Sequence, residues 1–397
     1  MRWRSRLAAG CLALGLLAAS PAAREIRPGE SLLLHLASGG SERFRMPLRA
    51  DRPVRVVADQ LGLDVSLELT SPAGEVIETV ADRSSGLEVL VAIVPKSGSY
   101  GLEVAAASEK LPAGDVDLRI EEFRDTPEVR AAARLHQEAR AIAARGKDSR
   151  RDARRAFEAA RDAWAEAGDE SMTAWALEEI GDLSILIPEP VAARLAYAEA
   201  AKRFAALGRA ADQAVAQYGA GHALHQQGDY AGACAQWKAT FDLEGALTPS
   251  DRVDLRYAYA ADLKQQGEYD EALPIIESAL ETYRGLGMLT EELTAQAELG
   301  SIHLMRRDTV RALDALTCGV ARSRETARPD MEARFLQRLA VLEWEIGDRD
   351  AAAEQATRAL ALFRRAGNHV AEGAVLVLLG DVLGRRDDLD GAEANYR

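Results

Sequence analysis

Aromatic side chains are scarce: Phe, Trp and Tyr make up only 5 % of the 397 residues. Ala is abundant after residue 130, and an Ala-rich segment with few rings suits closely packed helices, in which small residues let the backbones approach. Positive charge is also short. Lys and Arg number 49 against 63 Asp and Glu, a net −14. A nucleic-acid binder normally presents a basic face, because phosphate contacts supply most of its affinity, so this balance argues against such a partner. It argues equally against docking on anionic lipid. After the N-terminal stretch no apolar run is long enough to span a membrane. Catalytic motifs are missing too. There is no Gly-rich phosphate loop before Lys-Ser/Thr, no HExxH, no paired CxxC and no GxSxG. No catalytic residue, cofactor or metal is therefore expected. Asp387-Asp388-Leu389-Asp390-Gly391 lacks the alternating acids and terminal Glu of a calcium loop.

Hydrophobic residues, at 48 %, are plentiful enough to build a core and exclude global disorder. The first of them lie in a targeting segment. Arg2, Arg4 and Arg6 precede a short apolar stretch, residues 7–19, and Ser20-Pro21-Ala22 offers small residues at the cleavage-determining positions. Residues 1–22 read as a signal peptide cut after Ala22, which places the chain in the periplasm or outside the cell. An uncleaved N-terminal anchor is the alternative. Lipid attachment at Cys11 is disfavoured, since Ala8 stands three residues before it.

Residues 24–123 carry short β-branched and apolar runs broken by Gly, Pro, Asp and Ser. Val65, Leu67 and Leu69 alternate with polar residues, as do Val116, Leu118 and Ile120. Period two means one buried face and one wet face. Turn signals at Ser71-Pro72-Ala73-Gly74, Pro95-Lys96-Ser97-Gly98 and Pro112-Ala113-Gly114 separate the runs. About seven short strands in about 100 residues predict a β-sandwich. At Thr126-Pro127-Glu128 the period changes. A capping hydroxyl, a preset φ and a negative charge at the dipole's positive end together start a helix, and helices are expected from residue 127 to 397.

That second part repeats itself. Taking the small residue of each first helix as origin gives Ala141, Gly181, Gly221, Ala260, Gly300, Ala340 and Gly380, at intervals of 40 residues with one of 39. Twelve residues further on, Ala recurs in every unit: Ala153, Ala193, Ala233, Ala272, Ala312, Ala352 and Ala392. Four beyond that stands a large apolar residue, Phe157, Tyr197, Trp237, Ile276, Leu316 and Tyr396, with Ala356 the exception. Small residues belong where two antiparallel helices cross, and the large one fills the space beside the crossing. No helix pair buries its apolar face alone, so pairs stack on their neighbours. Gly228, Gly267 and Gly347 mark the turns inside units, and Gly168, Gly208, Gly287 and Gly367 the ends of second helices. Cys234 and Cys318 fall two repeats apart, too far for a disulfide, and both are expected as buried thiols.

The pattern of small residue, Ala and aromatic resembles the tetratricopeptide repeat, most closely in residues 225–237 (HQQGDYAGACAQW) and 264–276 (KQQGEYDEALPII). The aromatic usual early in the first helix and the Pro after the second are absent, and the 40-residue spacing implies longer helices. Residues 54–80 with 97–104 resemble the pre-peptidase C-terminal type sandwich. The implied architecture is α+β: a small N-terminal β-sandwich followed by an all-α, right-handed superhelical solenoid of about seven helix pairs, the last truncated. This arrangement is similar to the N-terminal part of bacterial proteins that continue into a CHAT domain, a caspase-like cysteine protease.

In that family the first helices line a concave groove. By register its exposed positions include Trp175, Tyr218, His222, His225, Tyr257, Lys264 and Trp344, a mixture of large aromatics and polar groups suited to a peptide or protein partner. His222 and His225, three apart on one helix face, have the spacing of a metal chelate. No third ligand is evident, because Cys234 falls on the second helix, and they read as groove lining. Two functions follow from the resemblance: a non-catalytic binding scaffold, or the sensing arm of a longer CHAT-type protease whose catalytic domain would lie after Arg397.

Overall fold

The computed structural model describes residues 24–61, 63–81, 86–107 and 113–384. The signal segment and Ala392 lie outside them. Two compact units divide the chain, Met1–Asp262 and Leu263–Arg397.

In the first unit, nine strands occupy the described part of the β region. They are β1 (Arg24–Glu25), β2 (Ser31–Leu36), β3 (Ser41–Leu48), β4 (Pro53–Leu61), β5 (Val65–Thr70), β6 (Val76–Val80), β7 (Leu87–Ile93), β8 (Gly98–Ala106) and β9 (Gly114–Glu122). Five form a sheet in the order β1-β3-β8-β5-β6 and four a sheet in the order β2-β9-β4-β7. The alternation read from the sequence faces inward as period two requires. Val65, Leu67 and Leu69 are fully buried, as are Val116 and Leu118. They share one apolar core with Phe44 and Met46 of the five-stranded sheet and Val56 and Leu90 of the four-stranded one.

The four-stranded sheet is apolar over part of its other face as well. Val57 and Val91 point away from that core, yet they are 2 % and 0 % exposed. Val91 packs in a second cluster with Val129, Ala132 and Ala133 of the first helix and with Trp164 and Trp175. Polar residues on this face would have left the β region an independent body. Instead the strands and the helices up to Asp262 form one compact unit, and the division falls inside a helix.

The helices of this unit are α1 (Pro127–Ala143), α2 (Arg150–Glu166), α3 (Glu170–Leu186), α4 (Pro190–Ala206), α5 (Ala210–Gln226), α6 (Tyr230–Phe241) and α7 (Pro249–Gln266), the last crossing into the second unit. The second unit adds α8 (Tyr269–Gly285), α9 (Leu289–Met305), α10 (Thr309–Glu325), α11 (Pro329–Ile346), α12 (Arg349–Arg365) and α13 (His369–Gly384). Helix α1 begins as the sequence predicts, with Thr126 accepting from the Val129 amide at 3.3 Å and Pro127 in the first turn.

The register becomes packing. Ala153, Ala193, Ala233, Ala272, Ala312 and Ala352 have no solvent exposure, and Gly380 is buried on α13. The glycine origins are seats for the large residue sixteen positions on. A Cβ on Gly181 would lie 2.7 Å from the Tyr197 ring, one on Gly221 2.8 Å from the Trp237 ring, and one on Gly300 2.7 Å from Leu316. The Tyr197 ring is clasped from both sides, because a Cβ on Gly219 of α5 would also meet it at 2.5 Å. Where a repeat lacks glycine at a turn, the backbone keeps the left-handed geometry regardless: Arg307 has φ 58° and Ala327 φ 52°.

Two expectations need correction. Ala141 is exposed, and Ala139 is the fully buried residue near the end of α1. The connection to α2 carries an extra 3-10 turn, Lys147–Ser149, which offsets the two helices relative to the other repeats. Cys318 is exposed whereas Cys234 is buried. On α10 the buried face runs through Ala312, Leu316 and Gly319, and Cys318 falls off that line.

The clasped ring yields a signed prediction. Helix propensity alone favours Gly219→Ala by about 1 kcal/mol, but overpacking against a ring held on both sides costs about 1–3 kcal/mol. Gly219→Ala should therefore lower the unfolding free energy, whereas Gly373→Ala on α13, whose new Cβ meets open space, should raise it by up to about 1 kcal/mol. Chemical denaturation of both variants checks the pair. A stabilised Gly219→Ala would show that the ring is free to move.

Candidate functional site

Tyr218, His222 and His225 stand at i, i+4 and i+7 on α5, which places them on one face. Tyr257 occupies the matching position of α7. All four are partly exposed, and His225 among them reaches a buried acid. Asp262 is 0 % exposed and receives two hydrogen bonds, from Trp237 Nε1 at 2.6 Å and from His225 Nδ1 at 2.5 Å. With an accepting carboxylate at Asp262, the neutral His225 tautomer that makes this bond carries its proton on Nδ1. The His225 ring is further held edge-on by Tyr230 at 5.5 Å, and His222 stacks on it at 6.1 Å with the planes 21° apart. Tyr218 packs on the Trp237 ring at 5.0 Å.

The electrostatics follow from burial. It pushes the Tyr218 phenol well above its ordinary range, and Asp254 and Asp251 nearby add to the effect. It also pushes His222 down to about 4, helped by the neighbouring His225. His222 is thus a neutral imidazole at physiological pH, able to donate from one nitrogen and accept at the other. Among the described residues no group of three or more His, Cys, Asp and Glu is placed to hold a metal ion, and no helix is long and apolar enough to cross a membrane.

The other expected groove residues are not part of this cluster. Trp175 is not exposed: it is 6 % accessible, because the N-terminal half of α3 is covered by the four-stranded sheet and the Arg209 guanidinium lies 4.3 Å over its ring. Lys264 and Trp344 belong to the second unit, where both are partly buried and Lys264 pairs with Glu298. Sequence reasoning missed Asp262. Its signal was available: two residues after each origin stand Ala143, Leu183, Ala223, Asp262, Ile302, Leu342 and Val382, one acid in an apolar column.

The helical part has a tetratricopeptide-like fold, and solved structures resemble it. The apo form of RapI matches with a TM-score of 0.51 at 14 % identity, over 67 % of this chain and 95 % of its own. Aspartyl phosphate phosphatase F from Bacillus subtilis matches with a TM-score of 0.50 at 13 % identity, over 67 % of this chain and 70 % of its own. A signal transduction ATPase with a tetratricopeptide repeat sensor, PH0952 from Pyrococcus horikoshii, gives 0.49 at 14 % identity, over 68 % and 43 %. At such identities the likeness is one of fold alone. No protein-family profile and no curated protein matches the chain.

The depressed His222 pKa makes stability pH-dependent. The folded state keeps His222 neutral down to about pH 4, whereas the unfolded chain protonates it near 6.5. Its contribution is fully present above pH 6.5 and is lost as pH falls from there to about 4, a change on the order of 3 kcal/mol. Unfolding curves for His222→Gln should lack that part of the slope. A variant whose stability declines in parallel with the wild type would remove His222 as the cause.

Proposed function

We propose that this chain is a protein-binding scaffold that captures a peptide or protein segment on the face formed by α5 and α7. One observation carries the reading: Tyr218, His222, His225 and Tyr257 stay partly exposed, while the fully buried Asp262 holds His225, the buried Trp237 supports Tyr218 and His222 stacks on His225. Rings fixed from beneath offer contact area and hydrogen-bonding edges with little rotamer entropy left to lose, which is the character of interface anchors. A neutral His222 adds a donor and an acceptor at the rim.

In the fuller form of this proposal, residues 24–123 are a β-sandwich, seven helix pairs make a right-handed solenoid, and the leader exports the chain to the periplasm or beyond. The acidic balance and the tetratricopeptide-like fold support a protein partner rather than a nucleic acid. The sensing-arm reading places any chemistry outside these residues and would use the same face for recognition, so one test serves both.

The test is a photo-crosslinking residue placed at Tyr257. Tyr218 is a poorer position, since its ring supports Trp237. In the exported fraction of the source cells, crosslinking at position 257 should trap a defined partner, and the same group at Arg155, exposed on α2, should not. Equal trapping at both positions would move the binding site off the α5–α7 face.

A further inference from the structure

Away from that face, the first unit contains a second site with different chemistry. The outer face of the four-stranded sheet and the N-termini of α3 and α5 enclose a cavity of about 420 Å³, a size suited to a small ligand. Period two puts Arg55, Val57 and Asp59 of β4 on this face, and in the ladder with β9 Val57 stands opposite Arg119 and Asp59 opposite Asp117. Arg55, Asp59 and Arg119 all line the cavity, as do Trp175, Arg209 and Asp212.

The three guanidinium groups are not equivalent. Arg55 is occupied by Glu121 at 2.6 Å and Asp169 at 3.2 Å. Arg209 is paired with Asp212 at 2.8 Å and lies over the Trp175 ring. Arg119 has a long ion pair, 3.7 Å to Asp117, and its buried Nε has no hydrogen-bond partner among the described residues. Trp175, 6 % exposed, likewise has an indole Nε1–H with no partner among them. A buried donor left without an acceptor costs about 1–3 kcal/mol, so two of them lining one cavity call for an acceptor. A third contribution comes from the backbone. The residue that caps α5 is Arg209, which makes no side-chain capping bond. The first-turn residues Ala210 and Ala211 line the same cavity, which brings the positive end of the helix dipole to it.

We propose that this cavity binds a small organic anion, a carboxylate or a phosphate, whose oxygens accept from Arg119, from the Trp175 indole and from the first turn of α5. Of the acids that line the cavity, Glu121 and Asp212 are paired with Arg55 and Arg209, and Asp59 is the one that competes for Arg119. Burial holds the Asp59 carboxyl above its ordinary range against the pull of Arg119, and Asp212 pushes in the same direction as burial. An arriving anion competes with Asp59 for Arg119, and removing the Asp59 charge makes the site more welcoming. The site is independent of the α5–α7 face, so either proposal can fail alone.

The test is calorimetric titration of the full chain with inorganic phosphate and, separately, with citrate, at constant ionic strength. The wild type should take up one anion per chain saturably, and the stronger of the two titrants identifies the source chemistry. Arg119→Gln, on a partly exposed strand position, should weaken binding by about tenfold or more, and Asp59→Asn should tighten it severalfold. The opposite signs keep the test decisive even if one variant folds poorly. Absence of saturable uptake of both titrants by the wild type, or identical affinities in all three proteins, would overturn the proposal.

Discussion

The Tyr197 ring is seated between two glycines, Gly181 on α3 and Gly219 on α5, and its hydroxyl donates to the buried Asp182. That seat sets how closely three successive helices approach. The next repeat uses the same device with Trp237 on Gly221, and there the ring does more than fill space. Its Nε1 holds Asp262, Asp262 holds His225, and Tyr218 rests on the ring's face. The partly exposed face of α5 is therefore built outward from a packing residue. Its geometry is inherited from the helix spacing rather than from surface contacts.

A second constraint comes from the four-stranded sheet. Its inner face completes the β core with the five-stranded sheet, and its outer face keeps Val91 buried against α1, Trp164 and Trp175. Burying a Val side chain is worth about 1.5–3 kcal/mol, enough for a few such residues to bind strands and helices into one unit. Where the apolar part of that face ends, charged residues take over, and Arg55, Asp59 and Arg119 meet the starts of α3 and α5 around a cavity. The partly exposed face of α5 and this cavity thus lie in the same unit but arise from different interfaces: helix against helix for one, sheet against helix for the other.

Much of this was legible in the residues. The alternation of Val65, Leu67 and Leu69, the start at Thr126-Pro127 and the recurring Ala are local signals, and each corresponds to one local geometry. What escaped reading was set by contacts between segments distant in sequence. Trp175 occupies a groove position by register, but the sheet covers it, and nothing near residue 175 announces a sheet 80 residues earlier. Ala141 misled because the 3-10 turn at Lys147–Ser149 changes a connection length without changing the small residues on either side. Asp262 was visible as an odd member of an apolar column, but only once the column had been aligned.

If helix spacing in the first unit depends on a ring seated between glycines, the most direct measurement is a double-mutant cycle between Gly219→Ala and Tyr197→Leu, read as unfolding free energies. Removing the ring should relieve the added methyl. The coupling should then exceed about 1 kcal/mol, with the double variant more stable than the sum of the single effects implies. Effects that add within about 0.5 kcal/mol would contradict the account, because they would mean that Gly219 and the Tyr197 ring do not share the contact on which the packing of α3, α4 and α5 is said to rest.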